Sequence, residues 1–121
     1  LDSGGEMVKD CIFCKIVKGD IPSDKVYEDE KILVFHDIEP EAPVHVLVIP
    51  KTHISSLNDV QEDNSEVISY IFEKIPEIAN KLGVDKSGYR IVSNCGEDAM
   101  QTVEHIHFHL LAKRSLKWPP G

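Results

Sequence analysis

The 121 residues are 41% hydrophobic and 28% charged, enough apolar material for one folded core and too much for wholesale disorder. Thirteen Lys and Arg face 21 Asp and Glu, and the resulting net charge of −8 argues against nucleic acid or an anionic membrane surface as a partner. No apolar run reaches the roughly 18 residues that a membrane-spanning helix needs.

Leu1 to Glu6 has neither a basic start nor an apolar core, so it is no secretory signal. These small and polar residues read as an expression scar ahead of Met7, which leaves 7–121 as a single domain. Cys11 to Lys18 carries apolar residues at Ile12, Phe13, Ile16 and Val17, a short helical stripe closed by Gly19. Val26-Tyr27 and Ile32 to Phe35 predict two strands of a hairpin around the polar turn Glu28 to Lys31. Pro40 and Pro43 stiffen the following loop, and the β-branched run Val44 to Ile49 predicts a third strand stopped by Pro50. Val67, Ile68, Ile71, Phe72, Ile75, Ile78, Ala79 and Leu82 recur at helical spacing up to Gly83. Pro76 inside that stretch predicts a kink or two abutting helices. Tyr89 to Ser93 and Val103 to Leu111 predict the fourth and fifth strands, separated by the loop Asn94 to Thr102. The expected fold class is α+β: a mainly antiparallel five-stranded sheet with one long helix and a short N-terminal helix.

His105, His107 and His109 lie at i, i+2 and i+4, which on a strand puts three imidazoles on one face, each roughly 6.5–7 Å from the next. Ile106, Phe108 and Leu110 then face the long helix. Such a row can chelate a metal, or it can supply a nucleophile and proton-transfer groups tuned near neutral pH. The loop before it offers Asn94, Gln101, Thr102 and the backbone around Gly96, and no Lys or Arg falls between Asn94 and His109. A phosphate there would be held by imidazole, hydroxyl, amide and backbone donors, the kind of fixed dipoles that phosphoryl transfer uses.

Three cysteines, Cys11, Cys14 and Cys95, suit a reducing cytoplasm better than a disulfide framework. The Cys11-Ile12-Phe13-Cys14 pair reads as a redox motif, half a zinc site or two buried thiols. No βαβ unit accompanies it to favour the redox reading. A tetrahedral zinc site needs two more donors, for which His53 and one of the three clustered histidines are candidates.

Gln101-Thr102-Val103-Glu104-His105-Ile106-His107-Phe108-His109-Leu110-Leu111 resembles the signature of the histidine-triad nucleotide-binding family. Gly19 to Ser23, Val26 to Glu30, Phe35 to Ile38, His45 to His53 and Trp118-Pro119-Pro120-Gly121 are similar to its branch of small phosphoramidate hydrolases. The resemblance runs from about Cys11 to Gly121. It implies hydrolysis of a purine nucleotide at the α-phosphate, with a P–N bond as preferred target and the nucleoside monophosphate as product. It further implies His107 as a nucleophile forming a nucleotidyl-histidine, His109 as a phosphate contact that also manages a proton, and His45 as support near the nucleophile. Asn94, Gln101 and Thr102 would bind phosphate, and Asp37 the ribose hydroxyls. Ile12, Phe13, Ile16, Phe35 and Ile38 would wall the base pocket. Cys11, Cys14, His53 and His105 would hold a structural zinc, with no cofactor required for the chemistry. A homodimer is implied, with Trp118 reaching the partner's site. The alternatives are a nucleotide-binding sensor or partner protein with vestigial activity, and a zinc hydrolase in which all three clustered histidines bind metal. Met100, preceded by Ala99, stands where the family usually has glycine, which predicts a stiffer and narrower phosphate loop.

Overall fold

A computed structural model describes residue 8 and residues 10–121. The stretch read as an expression scar lies outside the described residues. Helix α1, Ile12–Lys18, starts where the Cys11 Sγ accepts from the Cys14 N–H at 3.3 Å. It ends at Gly19, whose φ of 88° lets its N–H turn back to the Ile16 carbonyl. Strands β1 (Lys25–Glu28), β2 (Ile32–His36), β3 (Val44–Pro50), β4 (Tyr89–Val92) and β5 (Phe108–Ala112) form one antiparallel sheet in the order β1-β2-β3-β5-β4. Helix α2, Ser65–Lys81, runs through Pro76 as one helix, not the two abutting helices allowed for from the sequence.

Alternation along β2 and β3 divides the core in two. Ile32, Val34, Val46 and Val48 pack with Ile71, Ile75 and Ile78 of α2, together with Ile106, Phe108 and Leu110. Leu33, Phe35, Leu47 and Ile49 point the other way and pack with Phe13, Cys14 and Ile16 at α1. The β1–β2 turn is tied to α2 through Asp29, whose carboxylate accepts from the Tyr27 and Tyr70 hydroxyls and from the backbone N–H groups of Lys31 and Ile32. Those four donors hold the Asp29 carboxyl far below the usual carboxylate range, against the cost of its burial.

The fifth strand is shorter than its sequence pattern suggests. Regular pairing begins at Phe108, and residues 103–107 approach it as an irregular segment docked by the Ile106 N–H on the Ile54 carbonyl. The alternation expected for Ile106, Phe108 and Leu110 nevertheless holds, because all three are buried in the α2 core. His109 pairs with Leu47 and His45 with Leu111, so both imidazoles sit on the α1 face as diagonal neighbours.

Candidate active site

Two constellations share the α1 face, and hydrogen bonds fix the state of each imidazole in them. His105 is fully buried, and its Nε2 lies 2.8 Å from the Pro50 carbonyl. A carbonyl only accepts, so Nε2 carries the proton and Nδ1 presents a lone pair. That lone pair faces Cys11 Sγ at 3.3 Å and Cys14 Sγ at 3.6 Å, while His53 Nδ1 lies 3.4 Å from Cys14 Sγ. Zn–S bonds of about 2.3 Å and Zn–N bonds of about 2.0–2.1 Å at a tetrahedral angle require sulfur–nitrogen edges of about 3.6 Å. The observed edges of 3.3–3.6 Å match that requirement. All four residues are buried and their donor atoms lie within 4.8 Å of one another. Burial pushes the Cys14 thiol up to about 11, so a dication is the natural means of holding its sulfur as thiolate. The Val8 and Cys14 N–H groups already point at the two sulfurs. These four side chains fit a structural zinc.

The second constellation begins at the His105 backbone. Its carbonyl accepts from His107 Nδ1–H at 2.7 Å, which leaves His107 Nε2 as a lone pair. Phe13 lies edge-on to both rings, 5.9 Å from His105 and 5.2 Å from His107 between centroids. Burial lowers the His107 pKa, only partly offset by the His105 carbonyl and the Asp37 charge, so the ring stays neutral and nucleophilic. His109 is pushed down to about 4, mainly by burial and then by the neighbouring His107 and His45 rings.

His45 has a backbone N–H, that of Glu41, directed at Nδ1 at 3.0 Å. Its Nε2 therefore holds the proton and donates to His109 Nδ1 at 2.9 Å, with Asp37 Oδ2 at 3.4 Å as a second acceptor. Burial lowers the His45 pKa despite the Asp37 and Glu41 charges, and a second proton on Nδ1 would meet the Glu41 N–H. The His45–Asp37 contact is accordingly a hydrogen bond from a neutral ring. His109, accepting at Nδ1, presents Nε2–H outward. The polar atoms of Asp37, His45 and His109 lie within 4.8 Å of one another, close enough to surround a metal. Because His45 Nε2 bears a proton, it has no lone pair to give, and the donor set does not suit a cation. The reading in which all three clustered histidines ligate one metal fails for a separate reason: His105 Nδ1 faces the thiols, whereas His107 Nδ1 is spent on the His105 carbonyl and His109 Nδ1 on His45.

Other expected residues fall as follows. Phe13, Ile16 and Phe35 are buried in the α1 core, whereas Ile12 is half exposed and Ile38 is 94% exposed. Neither of the last two is walled in by this chain. Gln101 braces the loop: its Nε2 donates to the Ser55 and Val103 carbonyls and its Oε1 accepts from the Gly96 N–H. Its side chain thus shapes the loop 94–102, and its amide N–H groups are taken by backbone carbonyls. Asn94 is half-buried and Thr102 exposed at the two ends of that loop. Met100 adopts φ 61° with its side chain 74% exposed, which explains why glycine suits the position. The expected narrowing is not seen, because the side chain stands out in solvent. Trp118 is exposed beside Arg90, whose guanidinium binds the Leu116 and Lys117 carbonyls. A separate cleft of about 310 Å³ near Lys31, Lys51 and Val67 contains none of the histidines.

Residues 10–117 match the family model described as "Scavenger mRNA decapping enzyme C-term binding". A HIT family hydrolase from Legionella pneumophila superposes with a TM-score of 0.90 at 47% identity, covering 93% of this chain and 100% of its own. The chain belongs to the histidine-triad family. A histidine triad protein from Clostridium difficile gives a TM-score of 0.88, also at 47% identity, over 91% of this chain and 96% of its own. The 14 kDa zinc-binding protein of Zea mays is 46% identical over 112 residues, 91% of this chain and 87% of that protein. This histidine-triad chain is hydrolase-like by its relatives, with the open five-stranded sheet and two helices of the fold. Among the described residues no helix is long and apolar enough to cross a membrane.

The sequence alone gave no signal for Glu41, Arg114 or Asp29. Glu41 acts through its backbone, and the Arg114 guanidinium and Asp29 carboxylate bond groups that no local side-chain pattern reveals.

Proposed function

We propose that this chain hydrolyses purine nucleoside phosphoramidates, or related nucleotidyl conjugates, through a nucleotidyl-His107 intermediate. The observation that carries the reading is the His107 Nδ1–H bond to the His105 carbonyl at 2.7 Å, which aims a neutral lone pair outward from Nε2. In the first displacement Nε2 forms a bond to the α-phosphorus as the P–N bond breaks. His109 Nε2 gives its proton to the departing nitrogen and takes one back from the water that attacks in the second displacement. Water then displaces His107 from phosphorus. Overall one P–N bond and one O–H bond of water break, one N–H and one P–O bond form, and His107 returns to its neutral state. Asn94, Thr102 and the loop backbone would hold the phosphate, Asp37 the ribose hydroxyls, and Phe13 with Ile12 and Ile38 the base.

Zinc held by Cys11, Cys14, His53 and His105 would have a structural role, fixing the residue whose carbonyl orients His107. Edge strand β4 and the exposed Trp118 support a homodimer in which the tail completes a neighbouring site. Thiols without a disulfide suit a cytoplasmic setting.

The test is intact-mass analysis of protein quenched during turnover of an adenosine phosphoramidate. An adenylyl adduct should map to His107 and be absent from His107→Ala, which should bind nucleotide within about tenfold of wild type yet turn over orders of magnitude more slowly. An adduct elsewhere, or substantial turnover by His107→Ala, would sink the assignment.

A further inference from the structure

The loop 37–43 delivers Glu41 to His45, and the element that steadies Glu41 lies far off in the chain. After β5 the backbone reverses at Lys113, a non-glycine residue at φ 76°. The reversal sends Arg114 back across the sheet, where its Nε–H donates to the Glu41 carbonyl at 2.9 Å and its Nη1 to the Ser115 carbonyl at 3.2 Å. The other backbone group of the same residue, the Glu41 N–H, donates to His45 Nδ1. His45 Nε2–H then donates to His109 Nδ1, which leaves His109 Nε2–H facing the phosphate site. Pro40 and Pro43 flank this stretch, so Glu41 swings little within its loop. The Asp37 N–H on the His45 carbonyl ties the loop's near end. Arg114 is the only side chain among the described bonds that grips it from the C-terminal segment.

We propose that Arg114 is a positioning residue: by holding the Glu41 carbonyl it fixes the Glu41 N–H on His45, and through His45 it sets which nitrogen of His109 carries the proton. This inference rests on the hydrolase reading for its effect on turnover, although not for the hydrogen-bonded connection itself. The charged and titratable groups facing His45 are Asp37 and Glu41 from the loop and His109 from β5. The Glu41 N–H counters the two carboxylates by occupying the nitrogen that a second proton would take. Freed of it, His45 becomes the cationic partner of Asp37, and His109 loses a fixed tautomer.

The experiment compares wild type, Arg114→Ala, Arg114→Lys and Arg90→Ala by nitrogen-15 NMR of the imidazole rings across a pH series, on the full chain without substrate. Wild-type His45 should show a bare Nδ1 and a protonated Nε2. In Arg114→Ala the midpoint of His45 protonation should rise by about half a unit or more, the equivalent of one hydrogen bond to the neutral ring. The His109 ring should become a mixture of tautomers. Arg114→Lys, which keeps a donor for the Glu41 carbonyl, should restore much of the wild-type pattern. Arg90→Ala loosens the same tail without touching Glu41 and should leave both rings as they are. In turnover, Arg114→Ala should lower kcat about tenfold with KM nearly unchanged. Unchanged ring nitrogens in Arg114→Ala, or an equal disturbance in Arg90→Ala, would overturn the proposal, as would altered rings with unaltered kcat. Wild-type protein that turns over no nucleotide would defeat the hydrolase reading instead, and the ring nitrogens would still report whether Arg114 sets them.

Discussion

Replacing Cys14 by Ser removes the more buried of the two sulfur donors in the Cys11–Cys14–His53–His105 cluster. The serine hydroxyl fits the space of the thiol and can accept from the Val8 N–H that now points at the sulfur, so packing changes little. What changes is the metal. A ligand held at 100 to 1,000 times its Kd stabilises the native state by about 2.7–4.1 kcal/mol. For a chain of this length each kcal/mol moves Tm by about 4 °C, which gives an expected fall of about 11–16 °C. The larger core under α2 contains none of the four ligands, so the sheet and α2 should stay folded while α1 loosens. Wild-type protein should carry about one zinc per chain by elemental analysis, and a chelator should lower its Tm by a similar amount. Chelator should leave Cys14→Ser unmoved, and hydrogen exchange should accelerate chiefly in residues 11–18. One zinc per chain retained in the variant, or a wild-type Tm indifferent to chelator, would refute the four-ligand centre.

The pH dependence has a defined sign. His45, His107 and His109 are all shifted down, His109 to about 4, so kcat/KM should hold as pH falls through 6.5 and decline only toward those lower values. A midpoint at or above 6.5 would contradict it. The same shifts mean that the unfolded chain takes up protons first, so stability should drain as pH drops from about 6.5 toward about 4, readable as a falling denaturation midpoint. Met100→Gly and Lys113→Gly should each stabilise by about 0.5–1 kcal/mol in thermal melts, because both residues are exposed and both hold a positive φ. A loss of stability in either would show that its side chain does more than tolerate the turn.

The apolar periodicities of α2 and β3 were legible in the sequence because each element buries a face that its own spacing defines. The histidine row was legible as chemistry and only partly as geometry. Strand alternation correctly put Ile106, Phe108 and Leu110 under α2, but a regular ladder from Val103 onward does not form. In its place the irregular approach lets the His105 ring turn into the thiol cluster while its carbonyl serves His107. Ile12 and Ile38, which the resemblance makes walls of the base pocket, stand exposed in this chain, since apolar character alone does not distinguish a packed wall from an open one. Gln101 carried the right polarity for a phosphate donor, yet its amide is engaged by the Ser55 carbonyl, a contact 46 residues away in the chain. Glu41 was invisible because the bonds it makes to His45 and Arg114 come from its backbone N–H and C=O groups.

The thiol–imidazole cluster also says when it can form. Cys11 and Cys14 are close enough in the chain to meet a metal ion while unfolded, but Cys11 and His105 are 94 residues apart. Closing so long a loop costs entropy before any contact repays it, so the last ligand arrives only once β3 and β5 have paired and carried residue 105 across the sheet. The ion is therefore a late clasp on an assembled sheet rather than a nucleus for it. Interactions made after the transition state slow escape from the native basin and leave the climb into it almost untouched. Zinc added during refolding should consequently lengthen the lifetime of the folded chain while hardly changing the rate at which it folds.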